Sequence, residues 1–178
     1  MEIWDLYDED RVKTDRQMVR GERVPEGYFR LVVHVCLFNA RGEMLIQQRQ
    51  PFKSGWPGLW DITAGGSAIA GDDSRSAALR ELGEELGIRL APNEIRPALS
   101  VRFSEGFNDV YLGEYDGDLG TLTLQAEEVA AVRYATLEEM LAMIDEGSFI
   151  PYHKHFIHML FYLRQRPELM EAPQEKKA

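Results

Sequence analysis

The stretch "GGSAIAGDDSRSAALRELGEELGI" (residues 65–88) decides how this chain is read. A glycine pair is followed by three residues suited to capping a helix, Asp72, Asp73 and Ser74, and then by an amphipathic run that stops at Gly87. The pattern predicts a helix of about 14 residues from Asp73 or Ser74 to Leu86. On a wheel advancing about 100° per residue, Leu79, Leu82 and Leu86 share one arc, and Glu81, Glu84 and Glu85 share another. The leucine arc is expected to pack on a sheet. Ala77, one turn before the glutamates, is expected to leave room above the acidic face. Such a face weakens an isolated helix, because like charges at this spacing cost about 0.2–0.5 kcal/mol per pair and negative charge near the C-terminus opposes the helix dipole. Hard divalent cations prefer oxygen ligands and would compensate. Arg80 can orient one carboxylate through a two-pronged hydrogen bond. A merely solvated acidic face is the ordinary alternative for "ELGEEL" alone.

Working outward, residues 28–40 ("YFRLVVHVCLFNA") and 44–49 ("MLIQQR") read as a hairpin across "ARG", and "LWDIT" (59–63) as a short strand leading into the glycines. "ALSVRF" and "DVYLGEY" form a second strand pair joined by "SEGFN". Thr136 and Glu139 stand in capping-box register at the head of a helix that ends at Gly147. A last helix is expected from near Pro151 to about Arg166. Residues 1–27 read as an extension with a strand and an irregular excursion, 28–166 as the main domain, and 167–178 as a disordered tail. The alternation of strands and helices gives an α/β (α+β) fold, a sandwich built on a mixed sheet.

With 178 residues the chain suits one domain. Its net charge of −10 argues against long nucleic acid as a partner, and no apolar run is long enough to span a membrane. The lone Cys36 precludes an intrachain disulfide framework and reads as a small core residue. Without a secretory signal at the start of the sequence, a cytoplasmic location is the expectation. His153, His155 and His158 do not complete a zinc set, since only the last two share a helix face. Trp56 and Trp60 are candidates either for a pocket wall or for loop packing.

Residues 66–88 resemble the signature of the Nudix hydrolase family, G-x5-E-x7-R-E-U-x-E-E-x-G-U with U aliphatic. Gly66, Arg80, Glu81, Leu82, Glu84, Glu85, Gly87 and Ile88 match at the required spacing. Chance agreement at the six fixed positions is on the order of 10⁻⁸ per start. Asp72 replaces the family's first glutamate, which puts the loop geometry in question. Gly83 occupies a free position of the pattern, at a cost of about 1 kcal/mol relative to alanine. The resemblance, which extends over about residues 28–165, implies a Nudix-type α/β/α sandwich. It also implies hydrolysis of a diphosphate linkage in a small molecule, such as a nucleoside diphosphate derivative. Mg²⁺, with Mn²⁺ as a substitute, would be held by Glu81, Glu84, Glu85 and the backbone carbonyl of Gly65, with Arg80 orienting the glutamates. Glu85 or Glu84 would take a proton from water, and Glu128 sits where some members carry a further ligand or base. Arg49 and Lys53 are candidates for the outer phosphate, and the N-terminal extension for a homodimer contact.

The segments "RQPFKSGWPGLW" and "EEVAAVRYATLEEMLAMID" also resemble isopentenyl diphosphate isomerase, a Nudix relative. In its "CGHP" segment, however, this chain has "GGSA", with Gly65 for the cysteine and Ser67 for the histidine. Of that enzyme's "ENEV" glutamates only one carboxylate remains, Asp109 in "FNDV". An isomerase and a non-catalytic ligand sensor are therefore the alternatives to a hydrolase.

Overall fold

The computed structural model describes residues 2–165. Nine strands, three α-helices and a short 3-10 turn run in the order β1 (Ile3–Tyr7), β2 (Lys13–Val19), β3 (Phe29–Phe38), β4 (Met44–Arg49), β5 (Trp60–Asp61), β6 (Ala64–Ser67), α1 (Ser74–Leu86), β7 (Ile95–Phe103), β8 (Gly106–Glu114), the turn Leu119–Thr121, β9 (Val129–Ala135), α2 (Leu137–Glu146) and α3 (Lys154–Gln165).

β3 organises the sheet. β8 lies parallel to it from Arg30 to Phe38 and fills one edge. The other edge is shared end to end by three antiparallel partners: β1 at Phe29 and Arg30, β6 from Val32 to Val35, and β4 at Phe38. β7 pairs with β8, and β9 with β4, so the sheet is mixed and open. Alternation along β3 serves both faces. Leu31, Val33, Val35 and Leu37 pack with Ala77, Ala78, Leu82 and Leu86 of α1. Cys36 and Phe38 pack with Met140 and Met143 of α2 and Ile157 and Leu160 of α3. Each fully buried leucine of α1 contributes about 1.5–3 kcal/mol. The result is the expected three-layer α/β/α sandwich, with Cys36 a buried core residue.

Helix α1 starts where its caps require. The Asp73 side chain accepts from Ser76 N–H, Ser76 reciprocates, and Gly87 closes the helix at φ 70°. α2 carries the Thr136–Glu139 box and ends at Gly147. Three local expectations are corrected. Ala77 is fully buried in the core and leaves no space for an ion. α3 begins at Lys154 rather than near Pro151, because residues 148–152 are strapped to β5: Ile150 N–H donates to Trp60 O, and Tyr152 OH to Asp61 at 2.8 Å. Residues 1–27 contain two strands rather than one, β1 and β2, which pair with each other and extend the sheet through β3. The expected tail, 167–178, lies outside the described residues, and so does Arg166 at the expected end of the last helix.

Candidate active site

Every residue singled out for catalysis, metal or phosphate lines one open cavity of about 680 Å³. α1 supplies Arg80, Glu81, Glu84 and Glu85; β6 supplies Gly65; the end of β4 and the turn after it supply Arg49 and Lys53; the segment before β9 supplies Glu128.

Arg80 holds three carboxylates, Asp72 as well as Glu81 and Glu84. Its Nε donates to Asp72 Oδ2 at 3.0 Å, and one terminal nitrogen donates to Glu81 Oε1 at 2.9 Å and Glu84 Oε2 at 3.0 Å. Its other terminal nitrogen reaches Ser67 O at 3.1 Å, which ties the helix to β6. Burial works against the Arg80 charge, but Glu81 and Asp72 outweigh it and raise the pKa. The shorter carboxylate of Asp72 therefore still bridges loop and helix, and it also accepts from Ile69 N–H at 3.3 Å.

Although neighbours on the helix wheel, the glutamates occupy different surroundings. Glu84 is exposed, with 53% of its side chain accessible. Glu85 is buried, and its Oε2 accepts only from neutral donors, Gln47 Nε2 at 2.8 Å and Gly65 N–H at 3.3 Å. Burial first, and the nearby Glu81 second, push the Glu85 carboxyl up to about 8. Burial raises Glu81 as well, against the opposing pull of Arg80. Among the described residues no three carboxylate, His or Cys side chains are gathered into a closed metal cage, since these glutamates turn toward Arg80 and Gln47. The exposed His153, His155 and His158 form no such group either.

The two glycines explain how the acidic face lies so near the sheet. A Cβ on Gly66 would fall 2.4 Å from Glu81 Oε1, so only glycine admits that carboxylate. A Cβ on Gly65 points the other way and would meet His34 Cδ2 at 2.3 Å and Val33 O at 2.9 Å. The isomerase's cysteine has no room at this position, because His34 fills it. Asp109, the surviving strand carboxylate, is bound by Arg11 and by Ser74 Oγ. Cys36 is sealed in the core, and burial pushes its thiol up, away from the reactive thiolate.

Lys53 pairs with Glu128 at 2.5 Å, and Arg49 lies 3.8 Å from Asp61 while donating to Gly55 O. Trp60 is half-buried under the Arg133 guanidinium, 5.2 Å away, whereas Trp56 is 51% exposed. Gln47 carries no motif: it is the first of three polar residues that end "MLIQQR". Glu2 and Arg20, an ion pair at 2.7 Å, also belong to no motif and are brought to the cavity rim by β1 and β2. The contact is fixed by Ala70 N–H donating to Ile3 O and Gly71 N–H to Asp5 Oδ2.

This geometry agrees with the comparisons. The sequence pattern of the NUDIX domain matches residues 28–161. An uncharacterised Nudix hydrolase of Listeria monocytogenes is 47% identical over 164 residues, 92% of this chain and 96% of its own length. DR0079 from Deinococcus radiodurans shares the fold with a TM-score of 0.73 at 25% identity, over 88% of this chain and 98% of that one. The isopentenyl-diphosphate Delta-isomerase of Streptomyces coelicolor is 29% identical over 157 residues, 83% of this chain and 77% of its own. What separates this chain from the isomerase resemblance is local: the glycine that stands for the cysteine, the histidine packed against it and the retained row of glutamates. By its family pattern, its fold and the relatives that share most of its length, the chain belongs to the Nudix hydrolase family.

Proposed function

We propose that the protein hydrolyses a diphosphate linkage in a small molecule, such as a nucleoside diphosphate derivative, with Mg²⁺ as its metal and Mn²⁺ as an acceptable substitute. The observation that carries this reading is a mismatch of charge. Arg80 offsets only part of the charge on Asp72, Glu81 and Glu84, while Glu85 has no cationic partner among the described residues and is driven toward its protonated form. A divalent cation fits this donor set, because Mg²⁺ is usually held by one or two carboxylates, water and substrate phosphate rather than by a full protein cage. Glu81, Glu84, Glu85 and the Gly65 carbonyl would hold it. When bound, the metal supplies the positive charge that offsets the phosphates and makes water more acidic.

The remaining work falls to side chains. Glu84 is the better placed proton acceptor, because it is exposed to the cavity and held only by Arg80. Glu85 has an oxygen committed to Gln47 and Gly65, which suits a fixed ligand. Such a positioned base contributes about 10²–10⁴-fold in rate. Lys53 and Arg49 line the same cavity as the α1 glutamates and would take the outer phosphate, with Glu128 holding Lys53 between turnovers. The pairing of Asp72 with Arg80 favours an intact hydrolase over a non-catalytic sensor. A panel of nucleotide sugars, dinucleotides, nucleoside triphosphates and isoprenoid diphosphates, assayed for Mg²⁺-dependent phosphate products, tests the reading. Turnover that depends on metal and is lost in Glu84→Gln supports it; absence of phosphate release across the panel, or double-bond migration in isopentenyl diphosphate, refutes it.

A further inference from the structure

On the sheet face opposite α1, helices α2 and α3 cover Cys36 and Phe38 but stop short of the preceding positions of β3, Arg30, Val32 and His34. These line a pocket of about 410 Å³, within the size range of small-molecule sites. Its most unusual member is Arg30. The guanidinium lies between the rings of Trp4 (5.1 Å) and Phe103 (5.3 Å) and donates to Ser67 Oγ at 2.9 Å. The other cations at the two cavities have carboxylate partners: Arg20 with Glu2, Lys53 with Glu128, Arg80 with Asp72, and Arg49 with Asp61. Arg30 makes no ion pair among the described residues. A guanidinium has five N–H donors in a rigid fork that matches a carboxylate or phosphate. Here the fork is stacked in place in advance, half-buried, and mostly unused.

Two further features point into the same pocket. The Asn108 side chain is held at 2.9 Å from His34 Nδ1, and its Oδ1 is buried without a partner. Trp56 and Val101 line the same pocket and stay 51% and 41% exposed, an apolar part of its wall. The acidic neighbour, Asp61, is occupied by Tyr152 OH, Ile62 N–H and Arg49, so it does not neutralise Arg30. Burial lowers the pKa of His34, against the opposing influence of Asp61.

We propose that this pocket is an anion subsite for the organic part of the substrate, with Arg30 binding a carboxylate or phosphomonoester and Asn108 Oδ1 accepting a hydrogen bond from a hydroxyl or N–H beside that group. Gly65, Gly66 and Ser67 border both this pocket and the glutamate cavity, so one molecule can reach across β6 with its diphosphate on one side and its second anion on the other. The favoured substrate is a diphosphate-linked compound that carries an additional anionic group. The inference takes the reacting linkage from the proposed function, but binding at Arg30 requires no metal and can be measured alone.

The test has two arms. In the first, full-length protein in a chelator is titrated calorimetrically with phenyl phosphate, benzoate and neutral benzyl alcohol. One or both anions should bind and the alcohol should not, and the tighter anion identifies the preferred group. Arg30→Gln should weaken that binding about tenfold or more, the loss of one charge-assisted contact. Val101→Glu, at an exposed position that leaves the core untouched, should weaken it by repulsion. The subsite is overturned if no anion binds, if the alcohol binds equally well, or if both variants bind as the wild type does. In the second arm, turnover with Mg²⁺ is compared for NADPH against NADH and for UDP-glucuronate against UDP-glucose. The more anionic member of at least one pair should be preferred in kcat/KM, and Arg30→Gln should abolish the preference. Anion binding in the first arm without turnover in the second or across the wider panel refutes the hydrolase and leaves the subsite standing. Turnover without preference or anion binding does the reverse.

Discussion

Replacing Glu85 by glutamine separates what this residue does for the fold from its proposed role as a metal ligand. The carboxyl is buried and its pKa is raised from an ordinary 4.5 to about 8. Between those values the folded state keeps a proton that the unfolded state has lost, so the stability of the metal-free protein falls as pH rises from 4.5 to about 8 and levels off above. At pH 7 the cost is about 3 kcal/mol, at about 1.4 kcal/mol per pH unit above 4.5. Glutamine cannot ionise, yet its amide oxygen can still accept from Gln47 and Gly65. Metal-free Glu85→Gln should therefore melt higher than the wild type near neutrality, by roughly 6–12 °C at about 2–4 °C per kcal/mol, and the two should converge below pH 4.5. Thermal unfolding in a chelator, repeated across this pH range, measures the difference. Added Mg²⁺ should reverse the order, since the wild type gains a ligand charge that the variant lacks, and metal uptake by the wild type at pH 7 should release about one proton. A variant that is less stable than the wild type at every pH would refute the burial argument, and one that keeps full metal stabilisation and turnover would remove Glu85 from the site.

The glycines give the remaining predictions. Gly66→Ala places a methyl 2.4 Å from Glu81 Oε1 and should displace that carboxylate, lowering metal affinity and kcat/KM by about 10–100-fold; unchanged metal titrations would contradict it. Gly83→Ala meets nothing nearer than Ile88 O at 3.8 Å and should stabilise the helix by about 0.5–1 kcal/mol, read as a higher melting temperature with activity retained. Gly65→Cys, which restores the isomerase residue, should lose about 1–3 kcal/mol through its collision with His34 and show no isomerisation of isopentenyl diphosphate. Adding His34→Ala should recover much of that loss, and denaturant titrations of the single and double variants decide it.

The parts of this protein written in local sequence were legible without coordinates. The capping box of α2 and the caps of α1 each act within one turn, so Thr136, Glu139, Asp73 and Gly87 fix their helix ends by contacts only a few residues apart. The β-branched and aromatic residues of 28–40 marked β3 as a strand, and the structure covers both of its faces. The spacing from Gly66 to Ile88 named the family, because those residues follow one another along a continuous strand end, loop, helix and helix cap. Contacts across the sheet left no comparable trace. Ala77 looked like open space on the wheel and is sealed in the core, while the real clearance comes from Gly66 on a neighbouring strand. Pro151 looked like a helix start, but the strap to β5 holds the chain extended for another turn. Which carboxylates share one helix face, and where that helix begins and ends, follow from residue order alone, because both rest on backbone geometry and near-neighbour hydrogen bonds. That Glu85 is buried against Gln47 while Glu84 meets solvent, that Arg20 arrives at the cavity from the N-terminal hairpin, and that Arg30 is left stacked with no ion pair among the described residues came from the folded chain, since burial and charge pairing depend on which distant strands come to lie side by side.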